Sequence, residues 1–399
     1  MGILKNILFE FILLTTSLCY IKFFNIGTNT DIQIYYFIFC SIYIFTCLID
    51  EKNKKIYNFN MRIIIYSIIF FIFTFIIELS ISKVNIIYFR SLYSYISFLC
   101  VFMCFINLYN DFSIKKTEKR IKFYYWIWNI IGFIQVFRKL AFTTWINRIG
   151  SDSMRGSISL GSEPFYYALH LILSSLILYI ISEKNKKYIL ISLFPILFFA
   201  KSSQGLIYAF IIVLIIFFNK KKILINFLSI IILLLVINFL FVFLKESRIY
   251  LNFSKLLLNP KQLLEQDGSI GSRILQWIIL WKGSKENFFL PNGFIKWHDY
   301  FKENIKNYIE LFPWIKYVLN KETDKINKIG SMLGAMLFEL GIVFTIVFYG
   351  KIYLVLKKYN KKIFFIILLL SIHGLNLTNP FFAILISILY IKNERIKLK

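Results

Sequence analysis

The chain has 399 residues, 58% of them hydrophobic, with a mean hydropathy of +0.67. That excludes an ordinary soluble globular domain, which is nearer half apolar and whose apolar residues are broken up by turns and charges. The net charge of +26 could point to nucleic acid, but the lysines fall in short clusters between apolar runs, which is the charge pattern of membrane topology and not of a nucleic-acid face.

Apolar runs fall at 3–24, 32–49, 61–81, 86–109, 123–142, 164–182, 188–200, 205–218, 223–244, 331–349, 363–378 and 380–392. Many have the roughly 18–22 residues needed to cross the hydrocarbon core. They predict an all-α, polytopic helical membrane protein of about twelve spans, forming one integral domain over 1–399. The first run carries a lysine but no small-residue cleavage site, and Leu18 before Cys19 argues against a lipoprotein signal, so it is read as a retained span.

The connectors alternate in charge. Asp50 to Lys55, Lys115 to Lys122, Glu183 to Lys187, Lys220 to Lys222, Lys357 to Lys362 and the tail ending at Lys399 are lysine-rich, and the connectors between them carry few cations. Positive-inside then predicts both termini in the cytoplasm. It follows that the loop around 155–163 faces outward, as does the long polar segment 245–330 between the ninth and tenth spans. Long loops do not vote on orientation, so the basic character of that segment does not contradict the assignment. Its length marks it as more than a connector.

Four stretches carry candidate chemistry. The loop from Arg155 and Gly156 to Gly161, Glu163 and Pro164 runs straight into a span, setting a cation and a carboxylate at the lipid boundary. Arg155 is either a snorkelling side chain or an anion clamp, and Glu163 either complements the helix dipole or does chemistry. Next, Lys201, Ser202, Ser203, Gln204 and Gly205 separate two short apolar runs. They are either a pair of half-spans dipping from the outer side, with a helix N-terminus able to hold an anion, or a tight hairpin of tilted helices.

In the long segment, Ser272 and Arg273 precede Trp277, and Leu290-Pro291-Asn292-Gly293 follows. Arg273 and Trp277, four apart, share a helical face. An arginine beside an aromatic platform suits a phosphate next to a sugar ring, because guanidinium binds phosphate in a forked geometry; a solvated loop arginine is the plain alternative. Finally Glu339, followed by Leu340 and Gly341, lies inside the run 331–349, where a carboxylate is costly unless it meets a polar interior or a partner.

The three histidines and five cysteines show no metal spacing, and the cysteines read as inert core residues. There is no GxxxxGK[ST], which argues against direct ATP-driven transport, and neither HExxH nor Gly-x-Ser-x-Gly. With no DxD-like pair for a nucleotide sugar, any chemistry is expected to be metal-independent, to need no cofactor, and to use an activated, lipid-borne donor.

The order of these features, Arg155-Gly156 to Glu163-Pro164, then Ser202 to Gly205, then Ser272-Arg273 with Trp277 and Leu290 to Gly293, then Glu339 to Gly341, resembles the bacterial O-antigen and capsular polysaccharide polymerases of the O-antigen ligase-like superfamily. Two departures stand out. Ser203-Gln204 occupies a position that often holds arginine, so either Lys201 supplies the charge or none is needed there. The histidine-asparagine pair of the ligases is missing before the Glu339 span, where the chain reads Lys328-Ile329-Gly330-Ser331, and this favours a polymerase over a ligase.

The resemblance implies a GT-C-like membrane glycosyltransferase of the bacterial inner membrane. Such an enzyme moves a growing glycan from undecaprenyl pyrophosphate to a lipid-linked repeat unit outside the cytoplasm, for O-antigen or capsule. It implies membrane lipid as surroundings, a chain-length regulator and a flippase as further partners, and no nucleic acid. Arg155 and Arg273 would neutralise the pyrophosphate and Glu163 would act as base, with Glu339 the weaker candidate. Lys201, Ser203, Gln204, Ser272 and Trp277 would contact substrate. A ligase-type transferase, or a flippase or secondary transporter, is the competing expectation.

Overall fold

A computed structural model describes residues 2–22, 32–50, 54–81, 84–146, 156–218, 254–255, 258–266, 268–316, 329–357 and 360–397. Among them the chain is all-α; its β content is one isolated bridge between Ile21 and Ile146. Three helices among the described residues are long and apolar enough to cross a membrane: Tyr57–Ile81, Ile86–Asp111 and Pro164–Ile181. Tyr35–Ile49, Lys187–Ala200, Ser203–Phe217 and Pro380–Asn393 are apolar but shorter. The expected ninth span, 223–244, lies outside the described residues.

The chain forms two compact units. The first comprises Met1–Arg62, Ser97–Tyr250 and Asn379–Lys399; the second comprises Ile63–Ile96 and Leu251–Thr378. Helices α3 (Lys54–Ile81) and α4 (Ile86–Asp111) each contribute to both.

The first unit also contains α1 (Gly2–Ser17), α2 (Tyr35–Ile49), α5 (Ile114–Phe137), α6 (Pro164–Ile181), α7 (Lys187–Pro195) and α8 (Ser203–Phe217). Helix α6 is its axis. Pro164 at the first turn pre-sets the helical φ. The apolar residues that follow run around the whole helix, so α6 is buried on every side, with α5, α7 and α8 packed on it. Its few polar side chains bond back to their own helix: Ser174 Oγ donates to the His170 carbonyl at 2.7 Å and Ser175 Oγ to Ile172 at 2.9 Å. Pro195 closes α7 and is followed by a π turn, Ile196–Ala200, which ends at Lys201 in the left-handed region with φ 48°. Ser202 then caps α8, its Oγ accepting from the Gly205 N–H at 3.2 Å.

The second unit is built from the expected long segment and the helices after it: α9 (Pro260–Gln266), α10 (Gly268–Glu286), α11 (Lys296–Ile305), α12 (Met332–Glu339), α13 (Gly341–Lys357) and α14 (Lys361–Ile372). Helix α15 (Pro380–Lys397) closes the chain in the first unit, where it packs along α6. Trp297, Phe301 and Ile305, four apart along α11, form one buried face. They meet Leu275, Ile279 and Leu280 of α10 and Leu337 and Phe338 of α12 in a single apolar core. Burying a large apolar side chain contributes roughly 1.5–3 kcal/mol, so this core fastens α10 and α11 to α12. On its surface the Tyr300 hydroxyl donates to the Glu286 carboxylate, and burial, then that bond, push the phenol above its ordinary pKa.

The run 331–349, read in the sequence as one span, is two helices. The backbone turns between Glu339 and Gly341, where Gly341 has φ +80°.

Candidate functional site

In the second unit, Arg273, Gln276, Trp277 and Leu280 lie at i, i+3, i+4 and i+7 of α10 and therefore share one face. That face lines, with Ile329 and Ser331, just before α12, and with His373, just after α14, a crevice too narrow in this conformation to hold a water molecule. The walls are fixed by backbone bonds. Trp277 Nε1 donates to the Ile372 carbonyl at 3.1 Å, and Gln276 Oε1 accepts the Gly330 N–H at 3.2 Å. Gly374, with φ +84°, lets its N–H reach the Gly330 carbonyl at 3.0 Å. Ser331 Oγ donates to the Ser371 carbonyl at 3.1 Å and caps α12 by accepting from Gly334 N–H at 2.9 Å. The cleft thus joins a guanidinium, an imidazole, an amide and the opening turn of a helix, beside an indole. Such a set favours an anion carried on an apolar or sugar body. Ser272 is the neighbouring residue on α10 and is half-buried.

The same unit holds a second polar centre at the break between α12 and α13. A helix that ends inside apolar surroundings must have its last carbonyls satisfied. Here the Phe289–Phe294 loop does so: the N–H groups of Asn292 and Gly293 donate to the carbonyls of Phe338 at 3.0 Å and Glu339 at 3.2 Å. In return the Ile342 N–H donates to the Phe289 carbonyl at 3.0 Å. Beside this junction lie two carboxylates. Glu339 is buried and accepts the Tyr95 hydroxyl at 2.7 Å; Glu78, fully buried, accepts the Phe294 N–H at 2.7 Å. No sequence motif marks Glu78. It ends an apolar run, and its partner is 216 residues away.

In the first unit, the Gly156–Glu163 loop packs on the break between α7 and α8. Ser157 N–H donates to the Phe199 carbonyl at 2.7 Å, and a Cβ at Gly156 would stand 2.0 Å from the Ala200 oxygen, so only glycine fits. Gln135 of α5 holds the loop from the other side, accepting the N–H groups of Ile158 at 3.1 Å and Ser159 at 2.7 Å. Glu163 stands half-buried at the N-cap position of α6, with no side-chain capping bond. Lys201 is exposed, Ser203 opens α8, and Gln204 Nε2 donates to the Tyr208 hydroxyl at 3.4 Å. Two stretches about forty residues apart in the chain therefore form one surface. Arg155, the expected cation of that loop, lies outside the described residues.

The sequence candidates divide between the units: Glu163, Lys201, Ser203 and Gln204 belong to the first, and Ser272, Arg273, Trp277 and Glu339 to the second. His373, Gln276 and Ser331 join the Arg273 cleft without any motif to announce them. Among the described residues no group of three or more His, Cys, Asp or Glu side chains could hold a metal ion. Compared with protein-family models, with curated proteins and with solved structures, the chain finds no match in any of the three.

Proposed function

We propose that this chain is a membrane glycosyltransferase that polymerises undecaprenyl-pyrophosphate-linked repeat units into O-antigen or capsular polysaccharide on the outer face of the bacterial inner membrane. In this reading it has about twelve spans and both termini in the cytoplasm. The observation that carries the proposal is the cleft in which Arg273 and Trp277 meet His373, Gln276 and Ser331. A forked cation beside an indole suits a pyrophosphate attached to a sugar. Arg273, and Arg155 with it, would stabilise the departing pyrophosphate. The acceptor hydroxyl oxygen attacks the donor's anomeric carbon, the bond from that carbon to the phosphate oxygen breaks, and the hydroxyl proton passes to a carboxylate. Glu163 is the first candidate for that base and Glu339 the second. Such a base contributes roughly two to four orders of magnitude in rate. Lys201, Ser203, Gln204 and Ser272 would hold the sugars.

A second reading, a flippase or secondary transporter, draws on the interrupted helix at Glu339–Gly341 and its buried carboxylates, because broken helices with ionisable residues line transport sites. Purified protein incubated with lipid-linked repeat units separates the classes: a ladder of products supports polymerisation, a single transfer supports a ligase, and no product favours transport. Within a polymerase, Arg273→Lys keeps the charge but loses the fork. The ladder should then shorten and slow; full-length polymer at the normal rate would remove Arg273 from the clamp.

A further inference from the structure

We propose that the first unit binds a small cluster of ordered water molecules around Trp128, between α5, α6 and the end of α1. Trp128 is fully buried. Its Nε1 donates to the Ser17 carbonyl at 2.9 Å, and its ring stacks on His170 at 3.8 Å and lies 6.1 Å from Tyr167. Ser17, Tyr167 and His170, which touch this indole, and Asn129, its neighbour in the chain, each leave one buried polar atom with no hydrogen-bond partner among the described residues: Ser17 Oγ, Asn129 Oδ1, Tyr167 OH and His170 Nε2. Asn129 turns its Nδ2 to the Tyr125 carbonyl at 2.7 Å, so its oxygen faces elsewhere. A Cβ on Gly132 would lie 2.3 Å from the Tyr167 hydroxyl oxygen, so that hydroxyl rests on the α5 backbone one turn beyond Trp128.

Folded proteins leave few buried polar atoms unpaired, and four around one ring is a concentration that calls for a ligand. The chemistry of the set identifies it. Ser17 and Tyr167 can donate or accept, Asn129 Oδ1 only accepts, and His170 Nε2 does either according to tautomer. An anion would need donors alone, which Asn129 Oδ1 cannot be, and the set holds no carboxylate or thiolate to balance a metal ion's charge, whereas water donates and accepts and commonly makes about three such bonds when buried. None of the four residues carries a formal charge at neutral pH with the imidazole neutral, which fits an uncharged ligand.

The position gives the cluster a consequence. The Trp128 carbonyl accepts the Ser159 hydroxyl at 2.6 Å, so these waters would sit behind the Gly156–Glu163 loop and set the spacing of α5 and α6 beneath it. The proposal does not rest on the glycosyltransferase reading.

X-ray hydroxyl-radical footprinting of the full chain in nanodiscs tests it, because bound water is radiolysed in place and modifies the side chains it touches. Tyr167 and His170 should be modified well above the rate of Tyr36, another buried aromatic in the same unit. Modification no faster than that of Tyr36 would overturn the proposal. Tyr167→Phe gives a second readout. Removing a hydroxyl that bonds to water should lower the melting midpoint, whereas removing one that is truly unpaired should raise it by a few degrees.

Discussion

Gly341 is the residue on which the second unit turns most sharply. Its φ of +80° is open to glycine, and a Cβ there would come within 2.9 Å of both the Phe289 carbonyl oxygen and the Pro291 nitrogen. Gly341→Ala should therefore cost roughly 1–3 kcal/mol from backbone strain alone, and more if the loop is displaced. Gly350, in the same helix, would meet nothing within 4 Å if it carried a methyl group, and Gly350→Ala should gain about 0.4–1 kcal/mol by restricting the unfolded chain. Thermal unfolding of the two variants in one detergent would check the opposite signs. The Tyr95–Glu339 bond of 2.7 Å is the other residue-scale test. Tyr95→Phe leaves the buried Glu339 carboxyl without this partner, and Glu339→Leu removes the oxygen that the hydroxyl meets. A double-mutant cycle on denaturant stability should return a coupling of about 0.5–1.5 kcal/mol. A coupling near zero would mean that the hydroxyl and carboxylate do not depend on each other.

At the scale of elements, the helix α12 depends on Ser331, whose one oxygen caps Gly334 N–H and donates to the Ser371 carbonyl. Ser331→Ala should cost about 1 kcal/mol for the cap, while Ser331→Thr, which keeps the hydroxyl, should lose little; circular dichroism melts of the two would compare them. This cap was legible in the sequence only as a serine before an apolar run. The interruption after Glu339 was not legible at all. Leu340-Gly341-Ile342 sits within a continuous apolar stretch, and hydropathy cannot distinguish a glycine that packs in a helix from one that ends it. What decides the matter is the backbone of residues 289–293, which satisfies the freed groups. Local pattern did reveal the pairing of Arg273 with Trp277, because four residues is a helical repeat. It could not reveal His373, which reaches the same cleft from the far end of α14.

For the whole molecule, the all-α class follows from composition, since a chain this apolar with lysine-bounded runs has few other ways to satisfy its backbone in lipid. Among the described residues three helices meet the length for a full crossing, and the shorter apolar ones need neighbours or a locally thinned bilayer to do so. Orientation is the property on which the functional reading turns, because a cleft on the cytoplasmic side would not meet lipid-linked units that have already crossed the membrane. The alternation of lysine-rich and lysine-poor connectors predicts that the connector at Glu183–Lys187 is cytoplasmic and that the α10 cleft is external. All five native cysteines are buried, so a single introduced thiol should dominate labelling. Lys285→Cys, exposed near the end of α10, should react with a membrane-impermeant maleimide in intact cells, and Asn185→Cys should react only after permeabilisation. The reverse result would put the Arg273 cleft in the cytoplasm and remove extracytoplasmic polymerisation as its function, because the cleft would then face the compartment where nucleotide-activated donors, and not flipped lipid-linked glycans, are found.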